Sequence, residues 1–153
     1  SPQAAPRVTT FSSPLPPPGS DGQLGHGDDQ HLDLPRQVEA LADLEIAAVV
    51  AGASHSFAIT TDGKLYSWGA GQCGRLGHGD EESVKVPKKV DALERDKIEV
   101  RSVAGGAFHS LCLDQNGGVH GWGDGDGASL GLGLDHDQLS PMRYGKSLKV
   151  RLP

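Results

Sequence analysis

The chain has 153 residues, a formal charge of −6 and an apolar fraction of 36%, which its 22 glycines raise to about half; this suits one globular unit of ordinary size. The acidic balance removes the basic footprint of general nucleic-acid binding, and no apolar run approaches the roughly 18 residues of a membrane-spanning helix. The two cysteines, Cys73 and Cys112, cannot make a disulfide framework or a four-cysteine zinc site.

Residues 1–18 hold six of the ten prolines and one charge, Arg7. Proline fixes φ and lacks an amide donor, so the stretch reads as a disordered or polyproline leader. A lone Arg without an amphipathic pattern speaks against a transit peptide. From Glu45 onward the chain reads as β. Glu45 to Ala51 and His55 to Thr60 are short apolar runs, and Asp62-Gly63 suggests a type I′ turn, in which both central residues take positive φ. Lys64 to Trp68 alternates and is aromatic, as a strand should be. A shorter strand is expected over Val86 to Val90. The pattern returns as Glu99 to Ala104, His109 to Leu113, the Asn116-Gly117 turn and Val119 to Trp122.

That return is part of a wider repeat. Gly22-Gln23-Leu24-Gly25-His26-Gly27-Asp28, Gly74-Arg75-Leu76-Gly77-His78-Gly79-Asp80 and Ala128-Ser129-Leu130-Gly131-Leu132-Gly133-Leu134 share a Leu-Gly step spaced by 52 and then 54 residues. A proline follows each leucine after 11 residues: Pro35, Pro87 and Pro141. His55 aligns with His109 and Trp68-Gly69 with Trp122-Gly123 at an offset of 54. About four short antiparallel strands per unit, repeated radially, describe propeller blades. The Leu-Gly-His-Gly run has too little side chain for a helix and reads as a loop where backbones approach closely.

Taken together, Trp68-Gly69-Ala70-Gly71-Gln72-Cys73-Gly74-Arg75-Leu76-Gly77-His78-Gly79-Asp80, Pro87-Lys88-Lys89-Val90 and Val103-Ala104-Gly105-Gly106 before His109 resemble the regulator of chromosome condensation repeat family over about residues 19–148. The resemblance implies a seven-bladed propeller, of which this chain would hold under three blades. The expected organisation is a leader over 1–18, a partial first repeat over 19–61, a complete second over 62–115 and a truncated third over 116–153. Pro16-Pro17 stand where the first unit should have its Trp-Gly, and Ala128, Leu132 and Leu134 depart from the second unit's pattern. A piece of a ring leaves open sheet edges and faces, so the isolated chain is expected to be poorly stable or to self-associate.

No chemical motif passes its own test. Gly69-Ala70-Gly71-Gln72-Cys73-Gly74 has dinucleotide spacing, but no apolar helix follows to receive a pyrophosphate. His26-Gly27-Asp28 and His78-Gly79-Asp80 pair imidazole with carboxylate, yet recur with the repeat and lack a nucleophile. His55 and His109 open apolar strands and read as partly buried structural residues, without metal-ligand spacing. Asp124-Gly125-Asp126-Gly127 starts like a calcium loop, which Ala128 breaks. Lys85, Lys88 and Lys89 lie beside Asp80, Glu81 and Glu82 and read as a solvated rim; Lys146, Lys149 and Arg151 form a more purely basic tail. No catalytic, cofactor-binding or metal residue is therefore assigned, and no cofactor is expected.

Trp68 and Trp122 share one repeat position and read as blade core. The plant UV-B photoreceptor belongs to the resembled family, but its Gly-Trp-Arg-His-Thr run is matched here by Gly52-Ala53-Ser54-His55-Ser56 and Gly106-Ala107-Phe108-His109-Ser110, without Trp or Arg. The reading is an all-β interaction module whose rim loops bind another protein, such as a small GTPase or a chromatin component. Neither membrane nor sequence-specific nucleic-acid binding is expected. Reduced thiols fit cytoplasm or nucleus. The resemblance also implies a second reading, nucleotide exchange on a Ran-type GTPase, and a third, a UV-B photoreceptor-like protein.

Overall fold

The computed structural model describes residues 8–10, 21–30, 32–126, 130–131 and 135–145. Most of the expected leader and the basic tail lie outside the described residues, as do Gly127, Ala128, Leu132 and Leu134. Within the leader, strand β1 (Thr9–Thr10) pairs antiparallel with β2 (Arg36–Gln37).

Two four-stranded antiparallel sheets form the body. The first runs in the order β3 (Ile46–Ala51), β4 (His55–Thr60), β5 (Leu65–Gly69) and β6 (Val84–Lys89). The second repeats it as β7 (Val100–Gly105), β8 (His109–Asp114), β9 (Val119–Gly123) and β10 (Gln138–Arg143). The sheets straddle the expected repeats: residues 62–115 supply the last two strands of one sheet and the first two of the next. That unit thereby ties the two sheets together.

Pro87 and Pro141 sit in β6 and β10, the sheet edges where a missing amide is tolerated. The registers slip just there, between the Ser67 and Gly69 pairings in one sheet and the Gln138 and Met142 pairings in the other.

The turns differ from expectation. Gly63 and Gly117 have φ of +80° and +81°, but neither Asp62 nor Asn116 is among the non-glycine residues at positive φ. The Gly63 amide donates to the Thr60 carbonyl and the Thr60 amide to the Lys64 carbonyl, both at 2.9 Å. This is a type I turn followed by a left-handed glycine, not type I′. The bulged glycine supplies the twist that a bare type I turn lacks. Side chains reinforce it: Thr60 Oγ1 accepts from the Lys64 amide at 2.9 Å, and Asp114 Oδ1 accepts from Asn116 and Gly118 amides at 2.8 Å.

One core lies between the sheets. Phe57, Ile59 and Leu65 meet Val100, Val103, Cys112 and Trp122, closed by Val90 and Leu93. Leu93 belongs to a short helix, α1 (Asp91–Arg95), which the strand-oriented reading did not anticipate. Its counterpart one repeat earlier is the single-turn 3-10 helix Glu39–Leu41, whose Leu41 is equally buried. A second core on the other side of the first sheet gathers Val38, Leu41, Ile46, Ala58 and Trp68. β4 is thus covered on both faces, while β8 alternates buried and half-buried, leaving Leu111 and Leu113 partly open.

Candidate functional site

The chemically richest region is the junction between the two sheets, where the loop after β5 reaches the second sheet. The three Leu-Gly leucines, Leu24, Leu76 and Leu130, are all buried. Gly25 and Gly77 hold left-handed φ of +82° and +81°, and a Cβ on either would come within 2.8 or 2.9 Å of an indole Nε1, that of Trp68 or Trp122 respectively. The Trp68 indole donates to the Gln23 carbonyl at 2.8 Å, and the Trp122 indole to the Arg75 carbonyl at 2.9 Å. Ser56 Oγ donates to that same Gln23 carbonyl at 2.9 Å, and Ser110 Oγ to that of Arg75 at 2.7 Å. Each loop thus latches the tryptophan and serine of the sheet that follows. The expected burial of both tryptophans in like surroundings is met.

Arg75 also pins the junction with its side chain. The residue is 3% exposed. Nη1 donates to Ser54 Oγ at 2.7 Å and to the Ala107 carbonyl at 2.8 Å, and Nε donates to the Gln72 carbonyl at 3.0 Å. Its guanidinium lies 4.6 Å from the centre of the Phe108 ring, a favourable cation–π distance. Three acceptors and one ring from three loops converge on a residue that the sequence reading did not single out.

His55 is buried beside it. Ser110 spends its proton on the Arg75 carbonyl, so it accepts from His55 Nε2 at 3.0 Å. Nδ1 is then the bare lone pair, and it makes no hydrogen bond. Burial first, then the Arg75 charge, lowers the His55 pKa to about 4, which keeps the ring neutral. His78 is held alike: Ser67 Oγ donates to the Leu76 carbonyl at 2.7 Å and accepts from His78 Nε2 at 3.0 Å. Burial and then Lys88 push its pKa down. The His-Gly-Asp pairing reads as loop structure: Asp80 Oδ1 accepts from the Glu82 amide at 3.1 Å, and Asp28 Oδ1 from the Gln30 amide at 3.1 Å.

The glycines with dinucleotide spacing are close-packing positions. A Cβ on Gly71 would overlap the Glu82 carbonyl at 2.0 Å, and one on Gly74 would meet Leu139 at 2.6 Å. A single 3-10 turn, Gln72–Gly74, follows instead of a helix. Asp124 Oδ1 accepts from the Asp126 amide at 2.8 Å in a local turn. His120 Nε2 meets Asp114 Oδ2 at 2.9 Å in a buried pair that the sequence reading did not single out.

Cys73, Glu81 and Asp137 also converge, each offering a donor atom within 4.8 Å of the others. Their separation along the chain hid them. Glu81 Oε1 already accepts from the Cys73 amide at 2.9 Å, and Asp137 Oδ1 from the Gly125 amide at 3.2 Å. Burial, then Asp137, pushes the Cys73 thiol pKa up. The group is half exposed and reads as a loop tie.

Comparisons with known proteins agree with this geometry. A profile of the Regulator of chromosome condensation (RCC1) repeat matches residues 19–59 and 62–113, and a second profile of that repeat matches 46–75 and 100–127. The E3 ubiquitin-protein ligase HERC2 of Homo sapiens is 42% identical over 123 residues, 80% of this chain and 2% of that protein. The ultraviolet-B receptor UVR8 of Arabidopsis thaliana is 41% identical over 125 residues, 82% of this chain and 28% of that protein. Among solved structures, Prp20p of Saccharomyces cerevisiae, studied for its binding to Gsp1p and histones, superposes with a TM-score of 0.73 at 27% identity. That match covers 84% of this chain and 33% of Prp20p. The chain therefore spans a third or less of these relatives, and its sheets correspond to neighbouring blades of a β-propeller.

Proposed function

Since the chain belongs to the regulator of chromosome condensation repeat family, we propose that it works as a non-catalytic docking module for another protein. The observation that carries this reading is the Arg75 pin. One side chain joins the Ser54 loop to the Ala107 loop, and its stacking holds Phe108, which is 50% exposed. An aromatic side chain held half exposed on a rigid edge has the character of a binding anchor, and loops fixed by a scaffold are where specificity resides. Phe108 interrupts an otherwise small-residue loop and has no buried role of its own.

A photo-crosslinking residue placed at Phe108 in the whole chain tests the reading in cells. Discrete protein adducts, lost when the label is moved to exposed Asp43, support it. The absence of adducts at Phe108 overturns it.

Nucleotide exchange on a Ran-type GTPase is the second reading, supported by the likeness to Prp20p, which was studied with Gsp1p. It predicts faster nucleotide release from one member of a GTPase panel, and no acceleration on any member removes it. Photoreception has less support. Both tryptophans are fully buried, and the loops before His55 and His109 carry neither Trp nor Arg. The free thiols Cys73 and Cys112 suit a reducing compartment, so cytoplasm or nucleus is the proposed setting. No described helix is long and apolar enough to cross a membrane.

A further inference from the structure

A polar cleft of ≈ 370 Å³ opens between the two sheets. Gly77, His78 and Gly79 form one wall, Lys88 another, and Asp91, Ala92 and Arg95 of α1 a third, with Ser140 of β10 closing it. The Gly79 amide, bonded to the Leu139 carbonyl at 2.9 Å, fixes the loop wall to the second sheet.

Glu94, the next acid on α1, turns away to Lys64 at 3.4 Å and Lys89 at 2.5 Å. Lys85 pairs with Asp29. Lys88 and Arg95, by contrast, make no ion pair among the described residues, and both line the cleft. His78 has its Nε2–H engaged by Ser67. The walls therefore hold two cations and one carboxylate, Asp91, a net charge of about +1 in a chain of net −6.

The repeat itself does not require these cations. One repeat earlier, Arg36 stands for Lys88 but Asp43 for Arg95; one repeat later, Met142 stands for Lys88 and Lys149 for Arg95, so neither neighbour keeps both cations. The framework residues behave differently: Leu41 and Leu93 are both buried, as are Val38 and Val90. The pairing of the two cations belongs to this junction and not to the repeat.

We infer that the cleft between α1 and the Gly77–Gly79 loop receives the carboxylate side chain of an acidic peptide segment, through Lys88 and Arg95. A carboxylate carries the single charge that offsets the cleft, and Arg95 can hold it bidentately. A phosphate dianion would bring a second charge toward Asp91. This deepens the docking reading and rests on it, adding a second contact of stated chemistry distinct from Phe108.

The test is an NMR titration of the whole chain with a peptide of alternating Gly and Glu, its Gln counterpart and its phosphoserine counterpart. The Gly77, Gly79 and Arg95 amides should shift with the Glu peptide, and affinity should fall about tenfold or more in Lys88→Glu with Arg95→Glu. Arg36→Glu with Arg101→Glu, exposed changes of equal total charge on β2 and β7, should leave it unchanged. A Glu peptide bound no better than the Gln peptide, or equally by the double variant, overturns the inference. Tighter binding of the phosphoserine peptide overturns the carboxylate assignment. In either case the Phe108 crosslinking result stands separately, so loss of the cleft is distinguishable from loss of the docking module.

Discussion

The indole of Trp122 donates to the backbone carbonyl of Arg75, 47 residues away in the chain, at 2.9 Å. The bond spans two sheets, and Trp68 repeats it one unit earlier with Gln23 at 2.8 Å. Neighbouring modules are thereby joined by directional bonds as well as by apolar packing. The edge-to-face contact of Phe57 with Trp122, at 6.4 Å and 83°, adds to the same interface.

Gly77 is a point of close approach in that latch. Alanine there would be strained at φ +81° and would press its Cβ to 2.9 Å from Trp122 Nε1. Gly77→Ala should cost about 2–4 kcal/mol, combining left-handed strain with overpacking. Gly131→Ala has comparable φ, +63°, but nothing within 4 Å, and should cost only about 1 kcal/mol. Urea midpoints of the two variants check the difference.

Arg75→Met keeps the backbone carbonyl and removes the donors to Ser54, Gln72 and Ala107. Three part-buried acceptors then lose a charged donor, and stability should fall by about 2–3 kcal/mol. Trp122 emission should stay native-like, because its acceptor is main chain. Arg75→Lys should not rescue fully, since one ammonium cannot reproduce the guanidinium fork. Thermal melts followed by fluorescence read both effects.

Acid should weaken the fold in two windows. His55 has a folded pKa of about 4 against 6.5 unfolded. The unfolded chain therefore binds the extra proton first, and stability falls as pH drops from about 6.5 to 4, by about 3 kcal/mol. Burial alone would raise the Asp114 pKa, but the bonds from His120, Gly118 and Asn116 outweigh it and lower it. Its contribution is present above the usual carboxylate pKa and is lost as pH falls further. Urea titrations of His55→Gln should lack most of the upper slope and keep the lower one.

The two thiols should separate cleanly. Burial pushes the Cys112 pKa up to about 12, so it should resist a disulfide reagent until the chain unfolds. Cys73 is half exposed and should react in the native state, more slowly than a free thiol because its pKa is also raised. One equivalent should react natively and two in guanidinium.

The local β signals were legible in the sequence. Alternation through residues 64–68 and the paired Asp62-Gly63 and Asn116-Gly117 turns marked strands that fall within a residue or two of β5, β8 and β9. The turn subtype was not legible, because a type I turn with a bulged glycine uses the same dipeptide. α1 was missed because five residues are too few to show a helical period. The role of Arg75 was not legible, since its partners come from loops at residues 54, 72 and 107 that only the fold gathers. The cleft was hidden for the same reason: Lys88 sat in an acid-flanked run, and Arg95 and Ser140 lie elsewhere in the chain.

Hydrogen exchange of the two indole Nε1–H resonances tests the modular latch most directly. Trp68 and Trp122 are the protein's two tryptophans, so the signals are unambiguous as a pair. Both protons should exchange slowly and through the same global opening, because each is buried and bonded to the carbonyl of the preceding loop. Rapid exchange of either indole in the folded chain would contradict the account.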